Sequence, residues 1–232
     1  MEILDAPTAS QVPVDEPDAL YKDRENLASA KKATDIWASR LAANPKDFDA
    51  ASRLAQARYW LGTNGLPDAE RKAALEGGIA AARSAIGINP NRPEGHFWLA
   101  ANMGALAESF GMRQGIKYRG QIKDALLTTL KLDAAFLDGS ADRALGRWYF
   151  KVPGMFGGSN KQSEMHLRKS LTYNPNSIIS HLFLAETLLD MDRKDEARKE
   201  YEAAINAPVD PTWAPEDRRF KEQAKQALQK LR

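Results

Sequence analysis

Three histidines, His96, His166 and His181, are the side chains in this sequence best suited to metal ligation or proton transfer. None has a second histidine three or four residues away, so no single helical turn presents paired ligands, and the His-Glu-x-x-His motif is absent. Each falls on or beside a helix-packing position, which favours a hydrogen-bonded structural histidine over a ligand. With no cysteine, disulfides, thiolate zinc sites and a cysteine nucleophile are excluded. The stretch Gly154-Met-Phe-Gly-Gly-Ser-Asn-Lys161 has the glycines of a phosphate loop but not the order Gly-x-x-x-x-Gly-Lys-Ser/Thr, and no strand precedes it. It fits a turn leading into a helix capped by Ser159, with Gln162 three residues on completing a capping-box pattern. Glu186 and Asp190 share one helical turn, the pattern of a solvated acidic face. No spacing marks a Ser-His-Asp or paired-carboxylate site, so the chain reads as a non-enzyme without metal or cofactor.

Residues suited to binding are better supplied. Arg113, Lys117, Arg119 and Lys123, with Tyr118 among them, form a local basic cluster in the glycine-flanked stretch Gly111–Gly120. On a loop these charges could grip an acidic partner or a phosphate, or simply be solvated. One interleaved tyrosine is too few to stack single-stranded nucleic acid, and that partner class is set aside. Trp98, Phe110, Trp148, Tyr149 and Phe183 accompany Tyr59, Trp60 and Phe97 on predicted helices. Aromatic residues at helical spacing are core residues first, yet this supply exceeds what helix seams require. Met155 and Phe156 either pack on Trp148 and Phe150 or line an apolar pocket. The candidate binding set is therefore Trp98, Phe110, Tyr118, Trp148, Tyr149, Met155, Phe156 and Phe183, with the basic loop Arg113, Lys117 and Arg119.

What must position these residues is a repeat. Five helix ends carry the same signature: Leu41-Ala-Ala-Asn-Pro45, Ile86-Gly-Ile-Asn-Pro90, Leu130-Lys-Leu-Asp-Ala134, Leu171-Thr-Tyr-Asn-Pro175 and Ile205-Asn-Ala-Pro208. Their aliphatic anchors stand 45, 44, 41 and 34 residues apart. A small or apolar residue lies eight before each anchor (Ala33, Gly78, Ile122, Ser163, Ala197), and usually a small one immediately before it. Recurrence at this period announces stacked helical hairpins. The prolines at 7, 13 and 17 hold off helix until about Asp18, so residues 1–17 are expected to be a disordered or extended tail and 18–232 one helical-repeat domain. Helices are expected over about Asp47–Leu61 and Asp68–Ile88, then from Pro93, over about Gln121–Leu132, from near Ser140, from Ser159, across Leu184–Ala204, and near Glu216–Leu231.

Composition sets wide limits. A net charge of +2 and 43% hydrophobic residues give no field-based affinity for nucleic acid or membranes and suit a globular domain. No apolar run reaches the roughly eighteen residues of a membrane span. Met1-Glu-Ile-Leu-Asp5 lacks the basic start and apolar core of a signal peptide, while Asp5–Asp18 resembles a mature tail, so a periplasmic or secreted location is favoured over a cytoplasmic one.

Small residues at the helix crossings (Ala185, Ala197, Ala204) with Leu184, Leu188 and Tyr201 filling the seam make the chain resemble the tetratricopeptide-repeat superfamily. That resemblance implies an all-α, right-handed superhelical solenoid of about four hairpins plus terminal capping helices. The long repeats, with Leu145-Gly-Arg-Trp-Tyr149, Val152-Pro-Gly-Met-Phe-Gly-Gly158 and Leu167-Arg-Lys-Ser-Leu171, are similar over roughly residues 30–206 to two groups. One is the T-component of tripartite ATP-independent periplasmic transporters; the other is the regulator of microtubule dynamics proteins. The first implies a periplasmic lipoprotein with a ligand-accessible central channel and a solute-binding protein partner, although its lipobox cysteine has no counterpart here. The second implies a tubulin-associated role. Arg53, Trp98 and Phe183 stand where the peptide-clamping members place asparagine, so capture of a chaperone tail is not expected. The sequence thus points to a non-catalytic scaffold that receives a protein or peptide on a concave aromatic face. The alternative is a transport-accessory carrier holding a small hydrophobic ligand in a central channel.

Overall fold

The computed structural model describes residues 16–231; the expected tail up to residue 15 lies outside the described residues, as does the side chain of Arg113. The chain runs through α1 (Glu16–Lys22), α2 (Leu27–Ala43), α3 (Phe48–Thr63), α4 (Asp68–Ile88), α5 (Pro93–Phe110) and α6 (Met112–Leu132). It continues with α7 (Phe136–Lys151), a 3-10 turn over Gly154–Phe156, α8 (Asn160–Tyr173), α9 (Ile178–Asp190), α10 (Lys194–Asn206) and α11 (Ala214–Lys230). Four antiparallel hairpins, α3–α4, α5–α6, α7–α8 and α9–α10, stack side by side, with α1 and α2 at one end and α11 at the other. This is an all-α solenoid. Its first helix starts at Glu16, two residues earlier than the proline argument allows, because Pro17 occupies the first turn, where its missing N–H is not needed.

The recurrent Asn-Pro is explained by its hydrogen bonds. The backbone N–H of Asn44, Asn89, Asp133 and Asn174 closes the last turn of α2, α4, α6 and α8, donating to Arg40, Ala85, Thr129 and Ser170 carbonyls at 2.8–3.3 Å. Each of these side chains then accepts the N–H two residues on, from Lys46, Asn91, Ala135 and Asn176, at 2.9–3.2 Å. One residue type thus ends the helix and starts the turn into the next hairpin. At several starts the helix is capped in the same economical way: Asp47, Ser159 and Ser177 accept from the N–H three residues on. The capping box at Ser159 is only half formed, since its own N–H donates instead to the Tyr149 carbonyl at 2.9 Å and ties the loop to α7.

Within hairpins the small residues sit at the crossings. Ala33, Ala82, Ala85, Ser163, Ser170, Ala197 and Ala204 are fully buried. A Cβ on Gly62 or Gly146 would come 2.4–2.5 Å from Leu75 or Leu167, so glycine sets how closely α3 meets α4 and α7 meets α8. The sequence reading misplaced one element. Gly111–Gly120 is not a loop: only Gly111 (φ 91°) leaves helical geometry, and α6 begins at Met112. Gly115 and Gly120 are simply helical residues, each costing roughly 1 kcal/mol relative to alanine, while Tyr118, Ile122, Ala125 and Leu126 bury one stripe of the helix. In α7, three successive residues with positive φ, Leu137, Asp138 and Gly139, break the backbone so that regular helix runs from Ser140.

Candidate functional site

The first helices of the hairpins, α3, α5, α7 and α9, pack successively along the inner side of the stack. After α10 the chain does not stop there. Residues 207–213 cross the inner side, and α11 returns to the N-terminal end, where Arg24, 4% exposed, forks onto Glu216. Its Nε and a terminal amino group donate to the two carboxylate oxygens at 3.2 and 2.6 Å, and that amino group also donates to the Thr212 carbonyl at 2.8 Å. The guanidinium lies 5.1 Å from the ring centres of both Tyr21 and Trp60. Arg218 pairs with Glu25, and Arg219 donates to Asn64 Oδ1 at 2.5 Å. Trp213 packs on the apolar core of the N-terminal hairpins. The solenoid is thereby closed into a ring.

The ring surrounds a chamber of about 820 Å³ that stays partly open to solvent. Tyr59, Phe97, Trp98, Trp148 and Phe183 form its hairpin wall; Val209, Pro211, Trp213 and Phe220 form the closing wall. Of the sequence-predicted set, Trp98, Trp148 and Phe183 face this space. Trp98 packs edge-on to Phe97 (centroids 5.0 Å) and tilts against Tyr59 (5.7 Å). Trp148 is fixed by its indole N–H, which donates to the Arg119 carbonyl at 2.9 Å. Phe183 lies under Arg147 (4.3 Å), and Arg147 is itself held by Glu108 and Glu186.

The other predicted residues are elsewhere. Phe110 lies beyond the chamber under Arg71, Tyr118 is buried in the α6 core with Lys117 over its ring, and Tyr149 stacks on His166 at 5.4 Å and 11°. Met155 is 85% exposed and Phe156 is under Arg119 on the outer rim, so the loop neither packs Met155 nor sends it inward. Arg119 borders both the chamber and a smaller outer hollow beside Phe156. Lys117, Arg119 and Lys123 thus belong to a helix, with Lys117 over Tyr118 and Lys123 over Trp148 and Tyr149. The sequence reading did not single out Arg143, Trp213 or the Arg24–Glu216 pair. Only Trp213 carried a local signal: a tryptophan standing alone in a proline-rich connector.

Burial perturbs several of the wall's polar groups. Burial pushes the Tyr59 hydroxyl up, partly offset by Arg219 and Arg143, and burial raises Asp217, whose carboxylate accepts the Asp210 N–H at 2.9 Å. Burial lowers Arg143, opposed by Tyr59, Asp138 and Asp217.

All three histidines make structural contacts. His96 and His181 stand at equivalent positions six residues after Pro90 and Pro175 and bond those carbonyls at 2.8 and 2.9 Å; His181 also meets Glu200 at 2.6 Å. His166 bonds Asp142 at 2.7 Å. Among the described residues no three His, Cys, Asp or Glu side chains converge to hold a metal, and no helix is long and apolar enough to cross a membrane.

The comparisons with known proteins agree with this architecture. A family model described as regulator of microtubule dynamics protein 1-3 matches residues 14–156, and one described as TRAP transporter T-component matches residues 94–231. A thermophilic tetratricopeptide-repeat protein of Thermus thermophilus is similar in structure, with a TM-score of 0.68 and 21% identity over 91% of this chain and 97% of that one. MamA is similar with a TM-score of 0.55 and 15% identity over 91% and 99% of the two chains. No curated protein matches the sequence. Because each family model spans more than half of its residues, the chain belongs with the regulator of microtubule dynamics proteins and the TRAP transporter T-components, and its fold is that of the tetratricopeptide-repeat structure it resembles.

Proposed function

We propose that this protein is a non-catalytic carrier that holds a small, largely apolar molecule inside its ring and works as an accessory to a transport partner. One observation carries the reading: the concave face that most helical stacks leave open for a peptide is here crossed by residues 207–213 and clasped by the Arg24–Glu216 pair. What remains is a chamber of about 820 Å³ whose walls are mostly apolar with several charged groups among them, within the range of about 300–1,000 Å³ typical of small-molecule sites. The similarity to TRAP transporter T-components supports a transport setting, and with it an exported location. The test is saturable binding of N-phenyl-1-naphthylamine, a neutral apolar fluorophore, to the purified protein. One site per chain is expected, with affinity at least tenfold lower in Ala101→Trp, which fills the chamber. Non-saturable uptake, or uptake indifferent to Ala101→Trp, would refute the carrier.

A second reading, a protein-docking scaffold, rests on a different surface. Ile116 (41% exposed) and Phe156 stand together on the outer rim beside Arg119 and Lys151, with the exposed Met155 next to Phe156 in the chain. Apolar side chains rimmed by cations suit an acidic, apolar partner segment. The two roles are compatible, since one lies inside the ring and the other outside.

A further inference from the structure

Most cations of the chamber wall have partners. Arg147 is held by Glu108 and Glu186, Arg71 by Asp68 and the Ser109 hydroxyl, and Arg119 donates to the Ile116 carbonyl. Arg143 differs. It lines the chamber from the middle of α7, and among the described residues it makes no hydrogen bond or ion pair. Asp138 and Asp217 favour its charge from a distance without touching it. One further group with a donor to spare shares its surroundings. The Tyr59 hydroxyl, on α3, lies within electrostatic reach of both Arg143 and Arg219, and among the described residues it makes no hydrogen bond. Arg219, on α11, spends one amino group on Asn64 and the Thr63 carbonyl, and its Nε is closed off from the chamber. Two helices far apart in sequence therefore bring unspent donors to a chamber whose wall also carries Trp98, Trp213 and Phe220.

A half-buried guanidinium without a counter-ion in contact is open to an anion, which would gain charge-assisted, forked hydrogen bonds from it. We propose that the chamber's ligand is an amphipathic carboxylate, its headgroup held by Arg143 with the Tyr59 hydroxyl, and its apolar body laid against Trp98, Trp213 and Phe220. A doubly charged headgroup fits less well, because Asp138 and Asp217 line the same space. This inference rests on the carrier reading and assigns the chemical class of its cargo.

The experiment displaces N-phenyl-1-naphthylamine with decanoate and with decanol, which share a chain and differ in the headgroup. Decanol is the more hydrophobic of the two, so a purely apolar chamber must prefer it. Decanoate is expected to displace the fluorophore at about tenfold lower concentration than decanol. Arg143→Met, verified as folded by retained fluorophore binding, is expected to erase that preference, Arg143→Lys to keep part of it, and Tyr59→Phe to weaken decanoate a few-fold. The wild-type comparison stands without any variant. Decanol equal to or better than decanoate, or a decanoate preference unmoved by Arg143→Met, would overturn the carboxylate site while leaving the carrier intact. Absence of fluorophore binding would overturn both.

Discussion

The seams inside the hairpins and the seam that closes the ring are built from different residues. Between α9 and α10, contact is made by Leu184, Ala185, Leu188, Ala197, Tyr201 and Ala204, all at most 2% exposed, within a span of twenty-one residues. Between α11 and the N-terminal helices, contact is made by arginines: Arg24 forked on Glu216, Arg218 on Glu25 and Arg219 on Asn64, joining residues 155 to 193 positions apart. The first seam is dry, small-residue packing, non-directional and set by area. The second is directional and charge-assisted, with Tyr21, Trp60 and Trp213 shielding part of it. The difference separates two jobs. Apolar seams make the rod; the polar seam turns the rod into a vessel, and a hydrogen-bonded clasp can open without dissolving a hydrophobic core.

That contrast can be broken from either side. The largest effect is expected from Leu184→Ala, which empties a fully buried site in the fourth hairpin and should cost about 2–5 kcal/mol of stability, read as a lowered midpoint in urea. Arg24→Met should cost less, about 1–3 kcal/mol, and show it differently. Hydrogen exchange should accelerate in residues 207–220 while α9 and α10 stay protected; uniform acceleration would mean the clasp is part of the global core. Asn89→Ala, removing the side-chain acceptor that turns α4 into α5, should cost about 1 kcal/mol with no change in chamber binding.

The smallest effect concerns His181. Burial disfavours its charged form, but the Glu200 carboxylate and the Pro175 carbonyl together outweigh that and raise its pKa in the fold. Its protonation therefore contributes stability below the unfolded-state pKa near 6.5, and that contribution fades as pH rises through the raised folded value. Glu200→Gln should flatten stability against pH in that window, measured by urea midpoints from pH 5 to 8. An unchanged slope would remove this histidine from the account.

Much of the rod was legible in the sequence because its signals are local. Asn44, Asn89 and Asn174 lie next to the helices they end, and Gly146 lies one residue from Leu145 in a pattern that repeats as Leu61-Gly62. Gly111–Gly120 departs from the expected loop because a helix that buries Tyr118 and Ile122 tolerates the half-buried Gly115 and the exposed Gly120. Trp98, Trp148 and Phe183 were reachable as inner-face aromatics. Arg143 was not, since an arginine in an amphipathic helix looks like any solvated charge until its surroundings are known.

Helix ends, hairpin partners and crossing points follow from composition and period, since each depends on residues a few turns apart. Closure of the ring, the chamber behind Trp213, and the isolation of Arg143 were decided only in three dimensions. They depend on where the accumulated curvature of four hairpins delivers residues 207–220, and that sum is written in no single segment of the chain.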